Sequence, residues 1–93
     1  MTAVEQKIAT HHRAAQQAIQ DGQMREAHQQ CLASLALDQA FADAWFLCGV
    51  IAAHNGVPAQ AADIVRKAIT LAPGKAEYHA ELGKLLIALR QPR

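Results

Sequence analysis

Aromatic side chains make up only 4% of this 93-residue chain, serine occurs once, and cysteine occurs twice. Sheets favour aromatic and β-branched residues, so that scarcity, beside abundant alanine, points to closely packed helices. Cys31 and Cys48 are too few and too apolar in setting for a disulfide scaffold. Charge of one sign is lacking as well. Nine bases face eight acids, the net charge is +1, and no like-charged block occurs. No electrostatic argument for nucleic acid or an anionic membrane follows. The longest uncharged apolar run, Ala44 to Ala53, is too short to cross a bilayer. Met1 to Lys7 lacks the apolar core of a secretory signal, and neither end carries a lipidation motif. A reduced cytoplasmic protein is expected.

What the chain does have is a period. Gly22 lies thirty-four residues from Gly56, Ala27 from Ala61, Leu35 from Ile69, Leu37 from Leu71 and Pro58 from Pro92. His11, Trp45 and His79 share another register, and Ala15, Gly49 and Gly83 a further one. A period of that length containing paired helical patterns predicts stacked helix–turn–helix units.

The punctuation agrees. Thr2 with Glu5 can form a capping box, and Gly22 closes the helix that follows. A second helix carries Ala27, Cys31, Leu32, Leu35 and Leu37 at three- and four-residue steps, with a linker over 38–42. A third ends at Asn55-Gly56, a fourth opens on Pro58 and ends at Pro73-Gly74, and a fifth carries Tyr78, Leu82, Leu85, Leu86 and Leu89.

The stretch 42–75 resembles a tetratricopeptide repeat through Trp45, Gly49, Gly56, Ala61, Ala68 and Pro73. Cys48, Ala52 and Val65 stand at the remaining pattern positions. The stretch 8–41 keeps the small residues Ala15, Gly22, Ala27 and Ser34, but Gln39 replaces the proline. From Ala76 the pattern keeps Leu82 and Gly83 and then runs out. The expected fold is therefore all-α: one domain over 1–93, about five helices, with repeats 8–41 and 42–75 and a half repeat 76–93. The resemblance implies a right-handed solenoid. Packing gives the pattern its reason. Glycine in a helix costs about 1 kcal/mol relative to alanine, so Gly49 is expected against Ala61 and Ala68, where a larger side chain would part the helices.

Catalysis and metal binding find little support. His28 and Cys31 share a helix face, but no second pair completes a zinc site. The sole serine, Ser34, sits at a close-packing position with no base to serve it. His11 and His79 read as substitutes for the aromatic Trp45. No cofactor, no metal and no enzymatic activity is expected.

The first helix of each repeat should line a concave face. That face would present His12, Gln16 and Ile19, then Asp43, Phe46, Val50 and His54, then Lys84. Phe46 and Val50 would form an apolar centre with polar ends, as a peptide groove requires. Repeat domains that clamp acidic chaperone tails resemble one another in placing Lys, Asn and Arg at set positions. Here those positions hold His12, Gln16, Leu47, Glu77 and Glu81, so such a tail is not the expected partner.

Arg90-Gln91-Pro92-Arg93 falls in the register of the turn before a second helix. Leu86 would then lie on an open terminal face, covered either by a continuation of the chain or by a second copy. Three functions follow as expectations. The first is a protein-interaction scaffold holding a peptide or helix. The second is a non-catalytic N-terminal segment of a larger bacterial enzyme, since alanine-rich repeats of this style are similar to those preceding sulfotransferase or glycosyltransferase domains. The third is a small assembly protein that self-associates through its last helix.

Overall fold

The first helix opens as its sequence predicts. In the computed structural model, which describes residues 2–90, the Glu5 N–H donates to the Thr2 hydroxyl and the Thr2 N–H donates to the Glu5 carboxylate. Two otherwise orphaned donors are thereby satisfied. Five helices follow in order: α1 Ala3–Gln20, α2 Met24–Leu37, α3 Ala42–His54, α4 Pro58–Leu71 and α5 Ala76–Arg90. No strand occurs among the described residues. Ala42, expected in a linker, already belongs to α3. Gly22 and Gly56 hold φ of +76° and +80°, a left-handed conformation that glycine adopts without steric cost at a helix end.

The thirty-four-residue period of the sequence is also a period of hydrogen bonds. Gly22 N–H donates to the Ile19 carbonyl and Gly56 N–H to that of Ala53, both at 3.1 Å. Gln23 donates to Ala18 as Val57 does to Ala52, and Asp38 to Ser34 as Ala72 does to Ala68. Even the large register repeats. Trp45 Nε1–H donates to the Gln39 carbonyl at 2.8 Å, and His79 Nε2–H to the Pro73 carbonyl at 2.9 Å. His79 thus does the work of the indole, and Gln39 supplies the carbonyl that its missing proline would have supplied. Glu5, at the place equivalent to Gln39 and Pro73, lies inside α1, and His11 Nδ1–H donates instead to the Gln30 side chain at 2.7 Å.

Helices α1 with α2, and α3 with α4, form the two tightest hairpins, while α2–α3 and α4–α5 contacts join successive units. Helices α1, α3 and α5 are neighbours along one face. The core is alanine-rich: Ala15, Ala27, Ala61 and Ala68 are completely buried. One apolar cluster joins α1, α2 and α3, a second joins α3, α4 and α5, and Phe46 and Ile64 pack against both. Both cysteines lie in the first cluster. Hydrogen bonding with Cys48, and then burial, pushes the Cys31 thiol above its ordinary range.

Gly49 faces Ala61, as expected, but its second neighbour is Val65 rather than Ala68. Leu86 is half-buried rather than exposed, and Ile87 and Leu89 carry the exposure of that helix instead. The Pro92 register and the expected last turn lie outside the described residues.

Ser34 is wholly buried, and its hydroxyl has no hydrogen-bond partner among the described residues. Burying an unpaired hydroxyl costs about 1–3 kcal/mol, and alanine occupies the same register at Ala68. Ser34→Ala should therefore raise the urea midpoint, by about 1 kcal/mol in stability or somewhat more. An unchanged or lower midpoint would mean that this hydroxyl has found a partner.

Candidate functional site

Seven of the eight residues expected on the concave face do line clefts there, but in two separate groups. His12, Gln16, Asp43 and Phe46 meet Lys75 and Glu77 around a recess of about 160 Å³. Val50, His54 and Lys84 meet Glu81 and Leu85 around a second recess of about 330 Å³. Ile19 joins neither. It packs against the α1–α2–α3 core, because a long aliphatic side chain at that register reaches the hairpin interior. Ala53, at the equivalent place in the next repeat, also packs against its core cluster but lines the cleft as well.

The continuous apolar centre expected from Phe46 and Val50 is not formed. Tyr78, from α5, stacks on Phe46 with ring centroids 4.7 Å apart and an interplanar angle of 24°. Its hydroxyl donates to the Asp43 carboxylate, and Lys75 Nζ lies 3.7 Å from the same carboxylate. Burial, reinforced by that carboxylate, pushes the Tyr78 phenol above its ordinary range. Asp43 and Phe46 therefore tie α3 to α5 as well as facing the cleft.

A third and larger recess, about 430 Å³, opens between α1 and the α2–α3 turn. Ile8, Ala9 and Phe41 supply its apolar wall and Glu5, Arg13 and Asp38 its charges. His12 and Gln16 line both this recess and the 160 Å³ one, so the two are contiguous. The signal for it was in the sequence: Glu5, Ile8, Ala9 and His12 recur at helical steps, and Phe41 stands next to the start of α3.

His12 sits at the junction. Its ring meets Phe41 edge-on at 5.3 Å, and its Nδ1 is buried with no partner among the described residues. Burial lowers its pKa below the ordinary 6.5, with Asp43 opposing the shift and Lys75 adding to it. A histidine whose folded pKa is depressed binds fewer protons folded than unfolded as the pH falls. Its contribution to stability is intact above the unfolded value near 6.5 and is lost below it. Stability should thus fall between pH 7 and pH 5, and His12→Gln should flatten that slope. Parallel slopes for the two proteins in urea unfolding at each pH would remove His12 from the account.

Among the described residues, no cluster of three His, Cys, Asp or Glu side chains could hold a metal ion, and no helix is long and apolar enough to cross a membrane.

No protein-family model matches this chain, and no curated protein matches it in sequence. Among solved structures it is similar to a mutant O-GlcNAc transferase of Thermobaculum terrenum, with a TM-score of 0.89 and 28% sequence identity. The match covers 95% of this chain but only 17% of the transferase chain. Taken with the helical hairpins and the turn register, that likeness makes the chain an all-α, tetratricopeptide-like helical-repeat scaffold.

Proposed function

We propose that this chain is a protein-interaction scaffold that holds a peptide or a helix against the face formed by α1, α3 and α5. The carrying observation is that three recesses open on this face, two of them contiguous; the two larger ones pair apolar walls with a few charged groups, and the smallest is mostly polar. Apolar clefts with sparse polar groups suit side-chain anchors, and repeat scaffolds present such a face to extended partners. Peptides selected from a random display library should, when titrated into labelled chain, shift the amides of Gln16, Phe46, Val50 and His54. Shifts confined to α2 and α4 would sink the proposal. An acidic chaperone-tail peptide should not bind this face, since Glu77 and Glu81 stand where such a tail needs bases.

A second reading is favoured by the match to part of a glycosyltransferase chain. In it the scaffold is a non-catalytic part of a larger enzyme, and its face receives a protein substrate or another domain of that enzyme. Both readings use the same face.

A further inference from the structure

We infer that the recess between α1 and the α2–α3 turn is the principal anchor site, and that it takes an aliphatic side chain flanked by lysine or arginine. This rests on the concave-face reading proposed above and specifies the partner that face selects.

The choice of recess follows from what covers the alternatives. Phe46 is stacked under Tyr78, so its ring face is already occupied within the chain. The recess beside it is small and edged by the Asp43–Lys75–Glu77 ion pairs. The recess at Val50 has the small residues Ala53 and Ala88 on its walls, giving an anchor little to grip. Between α1 and the turn, by contrast, Ile8 and Phe41 are large, only half-buried, and separated by a cleft of about 430 Å³. Its edge-on contact with His12 holds the Phe41 ring as one wall.

The choice of flanking charge follows from the distribution of acids and bases. The three recesses carry five acids (Glu5, Asp38, Asp43, Glu77 and Glu81) against three bases, Arg13, Lys75 and Lys84. The rest of the sequence has the opposite balance, six bases to three acids. Lys75 and Lys84 are already committed to acids of the same face. Glu5 and Asp38 accept only from uncharged backbone N–H groups and have no basic partner within 4 Å among the described residues. They leave the anchor recess with an excess of negative charge, only part of which Arg13 offsets. A cationic flank on the partner is attracted there and an acidic flank is repelled.

The test uses the full chain and four synthetic peptides of one length, read by fluorescence anisotropy. One carries a leucine between lysines. In the others glutamine or glutamate replaces the lysines, or serine replaces the leucine. The lysine–leucine peptide should bind tightest. Glu5→Gln retains a side chain that can close the capping box, so α1 should stay intact by circular dichroism. It should weaken the lysine–leucine peptide roughly two- to fivefold, the range of one exposed ion pair, and leave the glutamine–leucine peptide unchanged. Ala9→Gln, which fills the recess from a half-buried position on α1, should weaken every leucine peptide. Equal or tighter binding of the glutamate peptide, with shifts at Gln16 and Phe46, would overturn the charge assignment and leave the concave face standing. Leucine binding unaffected by Ala9→Gln would overturn the anchor site. Binding that shifts only α2 and α4, or no binding by any peptide, would overturn the proposed function along with it.

Discussion

Gly49→Leu should be the most destabilising single change in α3, with a loss of at least about 3 kcal/mol, at or beyond the upper end of ordinary overpacking. A Cβ built at Gly49 would lie 2.6 Å from Val65 Cγ2 and 3.3 Å from the Ala61 carbonyl oxygen. Val65 is completely buried and β-branched, so it cannot swing away, and the carbonyl belongs to the backbone of α4. Leucine would force α3 and α4 apart. Gly49→Ala tests which effect wins. Alanine gains about 1 kcal/mol of helix propensity over glycine, yet the contact with Val65 is closer than any ordinary one, so a net loss is expected. Adding Val65→Ala should restore more than the sum of the single effects predicts, which a double-mutant cycle would read directly. At the equivalent register, Gly83 has nothing within 4 Å among the described residues. Gly83→Ala should therefore stabilise by about 1 kcal/mol. The same substitution should thus change sign between two repeats. Equal urea midpoints for Gly49→Leu and the parent would refute the packing.

The period is what made this architecture readable without coordinates. Gly22, Gly56, Ala27, Ala61 and Pro58 each constrain the backbone or an interhelical distance, and such constraints repeat with the chain. The hydrogen bonds of the turns repeat with them. The face carrying the candidate site was readable for the same reason, since helical register fixes which residues point together. What register cannot give is the reach of a side chain across elements. Phe46 was expected to be open, but Tyr78, thirty-two residues later in the sequence, covers it. Ile19 was expected on the face, but its length takes it into the core. Gly49 was assigned to Ala68 on small-residue matching alone, whereas the helix crossing brings Val65 over it. The anchor recess was missed because the side facing α1 is formed by Phe41 and Asp38, turn residues with no helical register to place them.

Tyr78→Ala should cost about 3–5 kcal/mol, the usual range for emptying a buried aromatic site. Among the described residues Tyr78 is the largest side chain to be fully buried, at 0% exposure, and it docks α5 on α3 through its stack with Phe46. Against a total stability of about 5–15 kcal/mol for a small domain, that loss should release α5 or unfold the chain outright. Two contributions are combined in it, and Tyr78→Phe separates them. Phenylalanine keeps the ring and its stacking but removes the hydroxyl that donates to Asp43. A hydrogen bond to a charged acceptor is worth about 1.5–3 kcal/mol. Asp43 is partly exposed and still has Lys75 at 3.7 Å, so the cost should fall at the lower end of that range. Packing therefore outweighs the hydrogen bond. Thermal unfolding of the two variants measures the ratio, and amide exchange in α5 shows whether that helix is lost first. Should Tyr78→Phe prove as damaging as Tyr78→Ala, the carboxylate contact rather than the stacked ring would be what fixes α5. The Val50 recess, which needs Glu81, Lys84 and Leu85 of that helix, would then depend on one hydrogen bond.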